Sequence, residues 1–354
     1  MKAIVQDRYG TADVLELRDI DQPAIGDDDV LVRVHAAGVH IGDWHVMTGL
    51  PYLLRIIGFG LRAPRARVRG TDVAGTVAAV GRHVAHVRPG DEVFGTCDGA
   101  FAECARARAD TLAPKPANLT FEQAAAMPTS ACTALQALRD VGGIRPGQRV
   151  LLVGASGGVG LFAVQLARAL GAEVTGVCGT TKVELVRALG ADRVIDYTRE
   201  DVTRGGRRYD LILDLGGNRP LAQLRRALAP RGTLVLVGGE GGDRWVGSVG
   251  RSVRALAASP FVGQRLRGVL GTAKSADLRF LKELVEAGTV MPVLDRTYAL
   301  RDAPDAMRRL AAGHARGKLV VTVRGADHRA AVEVREALPH QGQGHAREEV
   351  AIAV

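Results

Sequence analysis

Residues 150–160 read V-L-L-V-G-A-S-G-G-V-G, and this stretch constrains the chain more than any other. The apolar run at 150–153 suits a buried strand. Small residues follow, and then Val159, Ala163, Leu166 and Leu170 recur at the spacing of one helix face. A strand that passes through a tight turn of small residues into a helix is what a dinucleotide pyrophosphate requires. The backbone can approach the phosphates, and the N–H groups of the helix N-terminus face the negative charge. Ala155, Gly157 and Gly160 occupy the three positions of a G-x-G-x-x-G spacing, with alanine in place of the first glycine. The expected cradle is Ala155, Ser156, Gly157, Gly158, Val159 and Gly160. An ordinary tight turn is the competing reading, and the agreement of both flanking elements tells against it.

From that turn onward strand and helix alternate. Strand candidates lie at 150–153, 173–177, 193–196, 210–214 and 233–237, with helical patterns at 158–170, 182–189 and 220–228. The alternation predicts right-handed crossovers and a mostly parallel sheet covered on both faces. The first part of the chain is β-rich instead, with short strand candidates at 30–34, 75–80 and 92–94 and a turn at Pro89-Gly90-Asp91. Prolines hold 112–116 extended, and Thr120 with Gln123 makes a capping-box start for a short helix. A helix at 277–287 precedes further short strands around a helix at 303–312. Beyond residue 323 sustained periodicity lapses, apart from a short helical pattern at 330–337, and a poorly ordered tail is expected over 324–354.

With 354 residues the chain is long enough for two hydrophobic cores. No apolar run reaches the length of a membrane span and the N-terminus lacks a signal-peptide core, so a cytoplasmic protein without stable membrane insertion is expected. The net charge of +9 comes mostly from arginines that do not form one tract, and no recognisable nucleic-acid module accompanies them. Nucleic acid is therefore not an expected partner. Cys97, Cys104, Cys132 and Cys178 lack C-x-x-C spacing, which argues against a disulfide scaffold or a zinc ribbon and for thiols packed as small hydrophobes.

Several separate motifs resemble the medium-chain dehydrogenase/reductase superfamily, and within it the zinc-independent quinone oxidoreductase-like branch. They are A-A-G-V-H-I-G-D-W-H at 36–45, G-T-D-V-A-G-T-V at 70–77, V-R-P-G-D-E-V-F-G at 87–95, G-A-S-G-G-V-G at 154–160, G-A-D-R-V-I-D-Y at 190–197 and G-H-A-R-G-K-L-V at 313–320. The resemblance covers nearly all of residues 1–323. It implies an α/β protein in which a GroES-like β-barrel catalytic domain, residues 1–123 plus 273–323, is interrupted by a doubly wound Rossmann domain at 124–272. A homodimer is the expected assembly.

Departures from the superfamily carry equal information. Where zinc-dependent members place Cys, a His-Glu pair and another Cys, this chain has His40, Thr71 with Asp72, and Thr129. Threonine is a poor zinc ligand and a catalytic zinc needs three protein ligands, so no metal is expected. At the end of the second Rossmann strand, where NAD-specific units carry an acid, Cys178 is found. Gly179, Thr180 and Thr181 offer donors there, Lys182 adds charge, and Tyr197 resembles a family tyrosine beside the adenosine phosphate. These residues favour NADPH, with a solvent-facing Lys182 as the alternative. Lys318 stands where zinc-dependent relatives have a pyrophosphate-contacting arginine, and Thr129 and Gly238 complete the expected cofactor contacts.

Without a metal an isolated ketone is a poor hydride acceptor. A quinone or an α,β-unsaturated carbonyl spreads the developing charge by conjugation, so hydrogen-bond donors suffice. His45 matches the relay histidine of zinc enzymes and the tyrosine of several quinone reductases, and is the candidate for orienting substrate or delivering a proton. Asp43 and His40 join it as catalytic candidates, each with a structural role as the alternative, and Gly42 replaces the relay hydroxyl. Trp44 and Tyr52 are candidate cleft residues, although Trp44 equally suits the core. The segment 53–69 reads as a loop over the cleft, and 245–270 as a packed surface insertion or a membrane or subunit contact. Two other readings remain: an NAD(P)-dependent alcohol dehydrogenase and a non-catalytic NADPH-binding sensor.

Overall fold

The computed structural model describes residues 1–202, 206–217, 219–238, 244–259, 262–313 and 315–323, so the expected tail lies outside the described residues. The chain opens with β1 (Lys2–Val5) paired antiparallel to β2 (Glu16–Asp19). There follow β3 (Asp29–Val39), helix α1 (Ile41–Thr48), the single turn α2 (Tyr52–Leu54), β4 (Asp72–Val80), β5 (Glu92–Thr96), β6 (Cys104–Arg108) and β7 (Leu112–Pro114). Helices α3 (Phe121–Ala125) and α4 (Pro128–Gln136) lead into β8 (Arg149–Val153), α5 (Gly158–Ala169), β9 (Glu173–Cys178), α6 (Val183–Ala188) and β10 (Arg193–Asp196). The alternation continues through β11 (Tyr209–Asp214), α7 (Leu221–Ala227), β12 (Leu228–Leu236), α8 (Gly247–Ala258) and β13 (Arg265–Gly268). Then α9 (Ser275–Glu286), β14 (Leu294–Ala299), α10 (Ala303–Ala311) and β15 (Lys318–Thr322) complete the described chain.

Two large sheets organise these elements. The first runs β14-β15-β3-β4-β5-β7, with β6 also paired to β3, so that strands distant in sequence close around one core that includes Val32, Val73, Phe101 and Leu319. The second is parallel throughout and runs β10-β9-β8-β11-β12-β13. Its order reverses between β8 and β11, and the crevice beyond the C-terminal ends of such strands is where open α/β sheets take ligands. A core containing Phe94, Leu135, Leu152, Phe162 and Val320 spans both sheets and fixes one against the other.

Local sequence explains several boundaries. Thr120 accepts from Gln123 N and its own N–H donates to the Gln123 side chain, so the expected capping box starts α3. Burial of every residue from Gly160 to Ala167 shows why α5 is built from small and apolar residues: α4 covers the side that solvent would otherwise reach. Helix α4 escaped the sequence reading for another reason. Its polar residues Thr129, Ser130, Thr133 and Gln136 share a face that bonds to Asp72, Lys318, the Thr129 carbonyl and Asp277 and not to solvent, so every residue of α4 but Thr129 is buried. Two expectations are corrected. The 245–270 segment is no simple surface insertion, since it supplies α8 and a sixth strand, β13, hydrogen-bonded to β12. The 53–69 segment begins as helical turns over Tyr52–Leu54 and Arg55–Phe59, and ends with Val68 bridged to Val5 and Arg69 buried.

Candidate functional site

The glycine turn lies at the end of β8, beside the point where the strand order reverses. Gly154 has φ +88°, and the N–H groups of Gly154 and Ala155 both donate to the Val177 carbonyl. A Cβ on Gly160 would lie 2.3 Å from the Gly154 carbonyl oxygen, so only glycine lets α5 pack this closely on the turn. Gly157 and Gly158 differ: a Cβ there would find its nearest neighbours at 3.4 Å. Protein packing therefore does not require them to be glycine. No side chain caps the N-terminus of α5, whose first turn comprises Gly158, Val159 and Gly160, with Ala155 and Ser156 buried just ahead. An uncapped helix end with space above its first residues fits a phosphate group.

Lys318 supplies the matching cation from the other sheet. Its side chain is 3% exposed, its Nζ donates to Ser130 Oγ at 2.9 Å, and its stem passes 3.4 Å from where a Gly158 Cβ would stand. Burial pushes the Lys318 amine below its ordinary range, while the charges of Asp72 and Asp43 hold it up. Asp72 is fully buried, and its Oδ1 accepts from both Thr129 N at 3.0 Å and Thr129 Oγ1 at 2.5 Å. Burial raises the Asp72 carboxyl, opposed first by His40 and then by Lys318. Two buried polar atoms in this cluster, Asp72 Oδ2 and His40 Nε2, have no hydrogen-bond partner, although His40 Nε2 lies 3.6 Å from Asp43 Oδ2. Such atoms are costly unless a ligand or water completes them, which marks the place where a polar ligand group fits.

His40 and Asp43 are built into the start of α1. His40 Nδ1 accepts from Gly42 N at 3.0 Å, and Asp43 Oδ2 accepts from His40 N at 3.0 Å, making a capping box. Asp43 Oδ1 also accepts from Thr71 Oγ1 at 3.3 Å. A Cβ on Gly42 would come within 2.7 Å of the His40 ring, so glycine makes room for the imidazole. His45 lies one turn on, with Nδ1 2.7 Å from the Leu50 carbonyl; a carbonyl only accepts, so Nδ1 carries the proton. Trp44 meets the His45 ring edge-on at 5.2 Å and packs its half-buried body on the core of the first sheet. Tyr52 lies against Trp245, the ring centroids 5.3 Å apart, and its N–H donates to the Arg244 carbonyl at 2.7 Å.

The remaining cofactor candidates gather at the ends of neighbouring parallel strands. Gly179 and Thr180 follow β9, and Tyr197 follows β10 with its ring against Gly179 and 59% of it exposed. Gly238 follows β12 with φ +127° and open space where a Cβ would stand. Lys182 is half-buried at the start of α6, and burial lowers its amine while Asp295 raises it. The sequence reading found no carboxylate at the end of β9, but the fold brings one in from β10. Asp196 accepts from Thr180 Oγ1 at 2.6 Å and from the Thr198 N–H and hydroxyl, and these bonds hold it below the usual carboxylate range. Both its oxygens are thereby committed to shaping this loop.

Three further residues escaped the sequence reading. Ser130 sits within buried α4, and its only signal was adjacency to Thr129. Arg251 of α8 reaches Asp214 at the end of β11, 2.5 Å away, in an ion pair that needs two segments distant in sequence. Arg69 is buried with its guanidinium near Asp43, and burial lowers its basicity. The positions that resemble zinc ligands do come together, but as a hydrogen-bonded pair, Asp72 with Thr129, beside His40. Among the described residues no group of three His, Cys, Asp or Glu side chains is arranged to hold a metal ion. Cys97, Cys132 and Cys178 are buried and their thiols raised by burial, Cys178 to about 11.

Comparison with known proteins places this geometry. Residues 26–117 match the alcohol dehydrogenase GroES-like domain, and residues 189–321 match a domain described as zinc-binding dehydrogenase. The mitochondrial NAD(P)H oxidoreductase RTN4IP1 of Mus musculus is 34% identical over 91% of this chain and 89% of its own length. The quinone oxidoreductase of Coxiella burnetii superposes with a TM-score of 0.81 at 30% identity, covering 92% of this chain and 99% of that one. The Escherichia coli quinone oxidoreductase complexed with NADPH gives a TM-score of 0.77 at 25% identity, covering 91% of this chain and all of its own. The chain belongs to the medium-chain dehydrogenase/reductase superfamily, in its quinone-oxidoreductase branch. It is an NAD(P)H-dependent oxidoreductase.

Proposed function

We propose that the protein is an NADPH-dependent, zinc-independent reductase of quinones or α,β-unsaturated carbonyl compounds. The observation that carries the reading is the cluster at His40, Asp72 and Thr129. Where a metal would need three ligands, Thr129 spends its hydroxyl on Asp72 and His40 spends Nδ1 on the cap of α1. An acceptor that carries its own conjugation needs no metal to hold the developing charge. NADPH supplies the hydride when bound.

The chain's residues do the rest. Ser156, Gly158, Val159 and Gly160 present backbone N–H groups to the pyrophosphate, Ala155 and Gly157 spend theirs on shaping the turn, and Lys318 adds charge held in place by Ser130. Gly179, Thr180, Lys182 and Tyr197 take the adenosine 2′-phosphate; Asp196 stays anionic with its oxygens turned to Thr180 and Thr198, and the Lys182 ammonium supplies the opposing charge. Thr129 and Gly238 complete the wall of the cofactor site. His45, its ring held by the Leu50 carbonyl, orients substrate or delivers a proton, while His40 and Asp43 act as positioning residues through the cap of α1. Tyr52 and Trp44 line the approach.

Initial rates of NADPH and NADH oxidation across quinones, enones and aldehydes, with metal content measured on the same sample, test the reading. Quinone or enone reduction favouring NADPH, no stoichiometric zinc and full activity after chelation are expected. Turnover confined to an alcohol–carbonyl pair, or about one zinc per chain whose removal abolishes activity, refutes it.

A further inference from the structure

Two segments of this chain contain no carboxylate at all. Between Asp43 and Asp72 there are five arginines, and between Asp243 and Asp277 five arginines and Lys274. Together these cations exceed the net charge of the whole chain, +9, so the remainder is slightly acidic. The fold joins the two segments. Tyr52 N donates to the Arg244 carbonyl, Leu53 N donates to the Trp245 carbonyl at 2.9 Å, and the Tyr52 and Trp245 rings meet. A Cβ on Gly247 would press on Pro51 at 2.9 Å, so the backbones touch there as well.

The joined region also carries large apolar side chains in water. Ile56 and Ile57 are 67% and 66% exposed, Trp245 69% and Val253 59%, with Leu256 nearly half exposed. Val246, the N-cap of α8, and Val249, Val253 and Leu256 on the helix follow a three-four-three spacing and so share one face. The opposite face is committed inward through Arg251, paired with Asp214, and Ala255, fully buried. Arg62, Arg65, Arg244 and Arg254 flank the apolar residues and have no carboxylate partner among the described residues.

We infer that this face docks on the surface of an anionic lipid bilayer. A bilayer interface offers what the face lacks: negative charge for the arginines, an apolar layer for isoleucine, valine and leucine side chains, and a headgroup zone that suits tryptophan. A second copy of the chain fits poorly, because an isologous contact would set Arg244 and Arg254 against the same two carboxylate-free segments, 44–71 and 244–276. Nucleic acid would answer the charge and leave the aliphatic side chains in water. No helix of the described chain is long and apolar enough to cross a membrane, so the docking is peripheral. The inference stands on this surface and not on the choice of substrate.

Flotation of the full chain with phosphatidylcholine vesicles, and with vesicles containing roughly one-third phosphatidylglycerol, provides the test. Binding to the anionic vesicles, weakened by salt, is expected. It should fall about tenfold or more in the double variant Val253→Asp, Leu256→Asp, and in Ile57→Asp, with melting temperature and reduction of a water-soluble quinone unchanged. Absence of flotation with anionic vesicles overturns the inference. So does binding that the three substitutions leave intact, which would be plain adsorption of a cation. A wild-type dimer that dissociates in Val253→Asp, Leu256→Asp without any vesicle binding would assign the face to a second copy.

Discussion

Gly157 and Gly160 stand three residues apart in one turn, and alanine should fail at each for a different reason. At Gly160 the new Cβ would lie 2.3 Å from the Gly154 carbonyl oxygen and 2.7 Å from the Ala155 carbonyl carbon. Both neighbours are backbone, so the β8–α5 turn itself must move. Overpacking of this kind costs about 1–3 kcal/mol, and immobile partners put it at the upper end. A loss near 3 kcal/mol corresponds to a fall of roughly 6–12 °C in melting temperature for a domain of this size. At Gly157 the nearest atom is 3.4 Å away and φ is −80°, which alanine adopts freely. There the small loss of a good cap residue is offset by reduced freedom of the unfolded chain, leaving stability within about 0.5 kcal/mol of wild type. The methyl group instead occupies space above the α5 N-terminus that the pyrophosphate needs, so NADPH affinity should fall at least tenfold, about 1.4 kcal/mol. Thermal unfolding of the cofactor-free variants and titration of NADPH fluorescence separate the two effects. A Gly160→Ala protein as stable as wild type, or a Gly157→Ala protein that binds NADPH normally, would refute the reasoning.

Lys182→Ala should weaken NADPH about tenfold and leave NADH unchanged; the charge-assisted contact is worth about 1.5–3 kcal/mol and is discounted because the site is half-open, and equal losses in titrations of both cofactors would remove Lys182 from the 2′-phosphate. Lys318→Met should cut the affinity for either dinucleotide. Because the folded amine titrates below its ordinary value, the unfolded chain binds the extra proton between the two values, so wild-type stability without cofactor should rise with pH over that alkaline interval while its NADPH affinity falls. Parallel pH curves for wild type and Lys318→Met, by melting and by titration, would contradict this. His45→Ala should keep NADPH affinity and folding but lower turnover, more for an enone than for a quinone whose reduced oxygen takes a proton from water; steady-state kinetics on both substrates decides, and full activity on each would exclude His45 from the chemistry.

What the sequence determined by itself was whatever depends on neighbours in the chain. The β8–α5 turn was legible because a strand, a glycine turn and a helix follow one another in consecutive residues, and the Thr120–Gln123 cap because both partners lie within one turn. The parallel sheet announced itself through the alternation of strand and helix. The limit came where a pattern was short or turned inward: the polar residues of α4 bond to other elements and not to water, and the Arg-Leu-Arg alternation of β13 runs for only four residues.

Tertiary structure alone decided the partnerships. Asp72 with Thr129, Lys318 with Ser130, and Arg251 with Asp214 join residues from separate elements, and no spacing rule connects them. The end of β9 lacks an acid in sequence, yet parallel pairing sets Asp196 of β10 beside Cys178 and brings its carboxylate to Thr180. His40 and Asp43 were legible as polar residues near a catalytic motif, but only the course of β3 into α1 turned them into a helix cap with one buried imidazole nitrogen left over. The physical reason is common to all of these. Local propensity follows from a few adjacent side chains, whereas the charge state and partner of a buried polar group depend on whichever strands and helices the packing of the core has brought together.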